Sequence, residues 1–198
     1  MSVQLPEAAC RVLDFWFDQP GSAAWDTERR AWFAKSDDFD ARIRTHFLSD
    51  WQVASEGALD DWSVTATGAC ARVVLLDQFP RNMFRNDPRS FGTDAQALAL
   101  SRRIVATGMD RELPTDYHRM FCYMPFEHSE ALEDQHEAVR LMAQLRESSG
   151  GKVDVVEWAD KHREIIARFG RFPHRNAVLG RPSTAEELAF LQRPGSSF

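Results

Sequence analysis

A chain of 198 residues with 43% hydrophobic content can bury one substantial core, and this length favours a single domain over 1–198, ordered from about 6 to 191 with a short flexible C-terminal tail. Its 14 Phe and 6 Trp point to an aromatic-anchored interior and exclude disorder over most of the length. Thirty acidic against 24 basic residues give a net charge of -6, a field that opposes nonspecific attraction to nucleic acid or an anionic membrane, although a local basic cleft is compatible with it.

In chain order, Ala9, Val12, Leu13 and Trp16 recur at i, i+3, i+4, i+7 and predict a helix from Pro6 to about Phe17. Phe39, Ile43, Phe47 and Trp51 march in steps of four from Asp37 towards Gly57, a C-terminal stop. Ala69, Val73 and Leu76 carry a helix into Phe79, where Pro80 is expected to halt it, because a residue before proline is steered away from helical geometry. A helix resumes at Thr93 or Asp94 and closes at Gly108. A short helix is expected over Thr115 to Met124, and after Pro125 a long one from Ser129 to about Glu147. Val155, Trp158, His162, Ile165, Ile166 and Phe169 mark the next, ended by Gly170, and Ser183-x-x-Glu186 reads as a capping box opening a final helix.

Few segments alternate with period two, so the expected class is all-α: seven to nine helices with short connections, paired as antiparallel hairpins. The three cysteines, Cys10, Cys70 and Cys122, have neither framework nor metal-ligand spacing, and reduced thiols fit best. No leader-like N-terminus and no membrane-spanning apolar run stands in the sequence, which is read as that of a soluble, cytoplasmic protein.

Candidate chemistry collects at three turns. Met120 to Glu130 runs from an apolar, aromatic segment through Pro125 into Glu127-His128-Ser129-Glu130. At a helix start with Ser129 as N-cap, the acids have a purely structural reason to be there, since the exposed N–H groups attract negative charge. The functional alternative makes His128 a general acid/base oriented by Glu127 or Glu130. Phe79-Pro80-Arg81-Asn82 and Phe172-Pro173-His174-Arg175-Asn176 repeat one pattern of cation and amide after a proline. Each is explained locally by the negative end of a helix dipole, but together Arg81, Asn82, Arg175, Asn176 and Arg181 would make an anion clamp, with His174 as a second proton-exchanging group. Glu133-x-x-His136 lacks the second motif a di-iron site needs, the other histidines lack zinc spacing, and no phosphate-loop or serine-nucleophile motif occurs; no metal or cofactor is expected.

Leu75-Leu76-Asp77-Gln78-Phe79-Pro80-Arg81-Asn82, Tyr123-Met124-Pro125-Phe126-Glu127-His128-Ser129-Glu130 and Arg171-Phe172-Pro173-His174-Arg175-Asn176 occur in that order, followed by Leu179-Gly180-Arg181-x-Ser183-Thr184-x-Glu186-Glu187 and preceded by Val12-Leu13-Asp14-Phe15-Trp16-Phe17. This set resembles the bacterial domain-of-unknown-function family 924 over about residues 10 to 191. The resemblance implies a compact all-helical fold of the tetratricopeptide-like superfamily and supplies no catalytic residues. Two functions are therefore weighed: a hydrolase or phosphoester-processing enzyme using His128 and His174 with Arg81 and Arg175 on a small anionic ligand, and a non-catalytic helical module binding a peptide or protein. RNA ranks below both as a partner.

Overall fold

In the computed structural model, which describes residues 4–196, the chain is helical throughout and forms no β-strand among those residues. Its α-helical segments are α1 (Glu7–Phe17), α2 (Asp37–Ser55), α3 (Ala66–Val73), α4 (Phe79–Met83), α5 (Asp94–Thr107), α6 (Asp116–Glu127), α7 (Leu132–Ser148), α8 (Val156–Phe169) and α9 (Ala185–Leu191). A π-helical turn over Val74–Gln78 joins α3 to α4 in one continuous rod, and 3-10 turns occupy most connections. No described helix is long and apolar enough to cross a membrane.

Trp16 is the packing centre. The α1 stripe of Ala9, Val12, Leu13 and Trp16 is buried, and the Trp16 ring lies 5.3 Å from Phe121, 5.6 Å from Phe79 and 6.3 Å from Trp32, centroid to centroid. Such rings remove large apolar areas from water and meet in edge and stacked pairs, so α1, α2, the rod and α6 converge on one aromatic cluster. The end of α1 is closed by the segment after it: Arg29 donates to the carbonyls of Phe15 and Trp16 at 2.8 and 2.6 Å, and the Trp32 indole donates to Trp16 O at 2.8 Å. The four-step apolar series on α2 buries Phe39, Ile43 and Phe47, while Trp51 at the edge packs on Phe84 at 4.6 Å. Gly68 is required where the rod passes the Asp60–Val64 turn, because a Cβ there would stand 2.0 Å from the Trp62 carbonyl oxygen.

Helix ends follow the expected stops at Gly108 and Gly170, both left-handed at φ 76 and 67, a conformation glycine adopts without a Cβ penalty. Three expectations are corrected. Pro80 does not end its helix: the backbone widens into the π turn before it, Phe79 N donates to Val74 O, and the carbonyl of Leu76, whose i+4 donor the proline lacks, accepts the Thr93 hydroxyl. Pro125 likewise lies inside α6, so Glu127 ends that helix, and α7 begins only at Leu132 with no side-chain cap from Ser129. The final capping box is Thr184 with Glu187, one residue beyond Ser183 and Glu186. Ser183 is instead held by the Asn176 amide at 3.0 Å.

The consecutive helices α6, α7 and α8 pack side by side across short turns, as hairpins do. Gln135 of α7 fixes the first of these turns by donating to the carbonyls of Phe126, Glu127 and Ser129. A second, small core of Ile165, Ile166 and Phe172, with Phe169 and Phe190 against it, forms at the C-terminal end of the chain. Beyond Leu191 the chain makes a turn in which the Ser196 hydroxyl donates to Leu191 O; positions 197–198 of the tail lie outside the described residues.

Candidate functional site

A cleft of about 390 Å³ opens between the start of α5, the α6–α7 turn and the Phe172–Leu179 segment. Pro125, His128, Ser129 and Glu130 line one side, Phe91, Asp94 and Leu98 another, and Arg175 and Leu179 a third.

The floor is set by the rod. Asp77 sits on the π turn with no solvent exposure, and its Oδ1 accepts from His128 Nδ1 at 2.7 Å while its Oδ2 accepts from Gln78 Nε2 at 2.6 Å. Because a carboxylate can only accept, Nδ1 carries the hydrogen, and Nε2 is left as the basic nitrogen of a ring that lines the cleft. Burial pushes the Asp77 carboxyl up, but the neighbouring His128 and Arg81 charges and two side-chain hydrogen bonds outweigh it and bring it to about 2. His128 is shifted down by burial and by Arg81, against the pull of Asp77. Asp77 therefore stays ionised while His128 stays neutral near pH 7.

Both Phe-Pro turns reach this floor through one further carboxylate, Asp94. Arg81 Nη1 and Nη2 donate to its two oxygens at 2.8 and 3.0 Å, and Arg175 Nη1 donates to Oδ2 at 3.3 Å. Arg81 also donates to the backbone oxygen of Asp77 at 2.6 Å, which fastens α4 to the π turn. Arg175 lies between the rings of Phe91 and Phe172, its guanidinium carbon 4.6 and 4.5 Å from their centroids. Burial and then Arg81 depress its pKa to about 10, with Asp94 and Glu130 opposing.

Glu130 takes another part than that expected of it. Instead of orienting His128, it accepts from Arg181 Nη1 and Nη2 at 2.7 and 2.9 Å and from the Phe172 backbone N–H at 2.8 Å, so it ties the C-terminal segment to the α6–α7 turn. Glu127 does not orient His128 either. It is buried at the C-terminal end of α6, where the helix dipole disfavours negative charge, and burial followed by the Asp77 charge raises its pKa to about 8. His162 Nδ1 lies 3.8 Å from its Oε2. The helix-start explanation for these acids fails for the same reason: they follow one helix rather than opening the next.

The remaining sequence candidates disperse. Asn82 turns to the opposite face of α4 and donates to Asp40 of α2 at 2.7 Å, so it has no part in the cleft. Asn176 is buried and links Ser183 to Arg181, shaping the loop rather than facing a ligand. His174 lies in the C-terminal segment beside Phe172, and burial together with Arg175 lowers its pKa to about 3. Glu133 and His136 are both exposed on α7.

Asp77 and Asp94 are the residues that sequence reasoning passed over. Asp77 had a signal, since it is one acid within the apolar run from Val73 to Phe79. Asp94 looked like an ordinary cap, although Thr93, its alternative, gives its hydroxyl to the rod instead.

The family model described as a bacterial protein of unknown function, DUF924, matches residues 12–195. The chain belongs to the DUF924 family. It is also similar to a solved structure, that of a protein of unknown function from Agrobacterium tumefaciens, at 34% identity over 93% of this chain and 96% of that one, with a TM-score of 0.78. No curated protein matches the chain. All the cleft residues, from Asp77 to Leu179, lie inside the DUF924 match.

Proposed function

We propose that this cleft is a hydrolytic active site for a small anionic ester, with His128 as general base and Asp77 as the group that orients it. The observation that carries this reading is the 2.7 Å contact between a fully buried carboxylate and the Nδ1 of a histidine lining an open cleft, beside a buried arginine. A carboxylate so placed fixes the imidazole tautomer and stabilises the imidazolium that forms as a proton is taken. Arg175 supplies the positive end that would orient the anionic group, and Arg81 stands behind it, sharing Asp94.

In the proposed step, His128 Nε2 removes a proton from water as the water oxygen bonds to the carbonyl carbon or phosphorus of the ester. The bond to the leaving oxygen then breaks, and the same proton passes from the imidazolium to that oxygen, so His128 returns to its neutral state. Glu127, His174 and Glu130 have no proton to exchange in this scheme.

The test is turnover of a panel of nitrophenyl carboxylic and phosphoric esters by the wild type, His128→Gln and Asp77→Asn, each checked for an unchanged melting profile. A general base is expected to contribute ~10²–10⁴-fold, so His128→Gln should lose that factor and Asp77→Asn a large part of it. Equal rates for folded His128→Gln and wild type, or no turnover of any ester by the wild type, would overturn the reading.

A further inference from the structure

We infer that the ligand of this cleft is a monoanion carrying an apolar body, a carboxylate attached to an alkyl or aryl group, which narrows the ester class proposed above by excluding phosphate dianions. The inference concerns the same cleft and rests on reading it as a ligand site, but it does not require His128 to act as a base.

The first reason is how the cations are engaged. Arg81 places both terminal nitrogens on Asp94, and Arg181 places both on Glu130 with its Nε on Asn176 Oδ1 at 3.0 Å. The paired terminal nitrogens of both are thus already taken by carboxylates of the protein. Arg175 differs: its side chain is 8% exposed, its one ion pair among the described residues is the 3.3 Å contact with Asp94, and its Nε has no hydrogen-bond partner among them. A buried guanidinium nitrogen without an acceptor is costly, so Arg175, the arginine that lines the cleft, has hydrogen-bonding capacity in reserve for a carboxylate.

The second reason is charge balance. Asp77, Asp94 and Glu130 stand against Arg81, Arg175 and Arg181, three charges of each sign, with His128 neutral. Two of the carboxylates, Asp94 and Glu130, line the cleft itself beside the one arginine that lines it. A single negative charge can pair with Arg175 here, whereas a second would meet two carboxylates in surroundings of reduced dielectric with no cation to oppose it.

The third reason is the wall. Phe91, Leu98, Pro125 and Leu179 line the cleft, and Leu179 is 37% exposed, so apolar surface faces an opening whose volume is at the small end of the ~300–1,000 Å³ of ligand pockets. The Phe91 ring both contributes to that wall and covers the Arg175 guanidinium, so the body of the ligand would rest on the face adjoining the cation that holds its head.

Calorimetric or ligand-observed NMR titration of the full chain with phenylacetate and hexanoate, against inorganic phosphate, hexyl phosphate and neutral hexanol, tests this without any turnover. The carboxylates should bind, the phosphates and hexanol at least about tenfold more weakly, and Arg175→Gln should lose a similar factor for the carboxylates. Leu179→Asp, a surface substitution that folds whether or not Arg175→Gln does, should weaken carboxylate binding comparably by adding a third negative charge to the wall. Tighter binding of either phosphate, or carboxylate binding untouched by both substitutions, would overturn the inference. Because binding alone is read, failure here is separate from failure of the ester assay on His128→Gln.

Discussion

Glu127 ends α6 inside the protein with its Oε1 lacking a hydrogen-bond partner among the described residues, close to Asp77 and His162. Its folded pKa of about 8 exceeds the ordinary 4.5, so below pH 4.5 the group is protonated in both folded and unfolded chains and costs nothing. Between 4.5 and about 8 the unfolded chain ionises while the folded site holds its proton, and stability declines through this window before levelling off. Glu127→Gln mimics the protonated acid and removes that decline. The melting temperature of the variant minus that of the wild type should therefore grow steadily from pH 5 to pH 8. A difference constant with pH would show that Glu127 is already ionised in the folded protein. Taking the difference cancels the opposite trend from His174, which burial and Arg175 shift down to about 3 and which destabilises the fold as pH falls through the ordinary histidine range.

At the scale of the element, the π turn is what puts Asp77 under His128. Two deviations support each other there: Pro80 has no N–H for the Leu76 carbonyl, and Thr93, drawn out of its capping role, supplies its hydroxyl to that oxygen and accepts from the Trp51 indole at 3.5 Å. Thr93→Val keeps the shape and removes both bonds. It should cost about 1–3 kcal/mol in urea unfolding, the range for leaving a buried polar group unsatisfied, and a loss below about 0.5 kcal/mol would mean that the rod does not depend on this contact. The same region shows what could be read in the residues beforehand. Helix faces and the Gly108 and Gly170 stops were legible because 3.6-residue periodicity and left-handed ends are local properties. Pro80 and Pro125 misled because the local rule that proline ends helices is overridden when Phe79, Phe121 and Tyr123 are buried in the core, and at Pro80 the freed Leu76 carbonyl finds the Thr93 hydroxyl. Both Ser183-x-x-Glu186 and Thr184-x-x-Glu187 satisfy the capping-box pattern, and only the tertiary bond from Asn176 to Ser183 decides between them. His128 and the two arginines could be named as chemistry from sequence, but that Asp94 would gather both arginines depends on contacts 13 and 81 residues apart in the chain.

For the molecule as a whole, the cleft lies where two cores meet. Asp77 and His128 are carried by the rod and the end of α6, whose Leu76 and Phe126 belong to the large aromatic core, whereas Arg175 belongs to the segment that contributes Phe172 to the small core. The position of Arg175 relative to His128 is thus set by the polar ties across that seam, of which Glu130 makes three: two to Arg181 and one to the Phe172 N–H. The Glu130 and Arg181 side chains are only 27% and 24% exposed and their contact is bidentate, so the pair is worth more than an exposed ion pair, and it closes the segment onto the site. Arg181→Gln should therefore cost about 1–3 kcal/mol in urea unfolding, since it leaves the Glu130 carboxylate without its partner. Native-state hydrogen exchange should quicken most at Phe172 and its neighbours, as expected when a segment opens without the rest of the fold. If the segment is held instead by its small apolar core and by Arg171, which donates to Glu187 at 2.6 and 2.8 Å, exchange at Phe172 will match the wild type. An increase confined to this segment, with exchange in α6 unchanged, would identify Glu130 and Arg181 as the latch that keeps the cation of the cleft opposite its histidine.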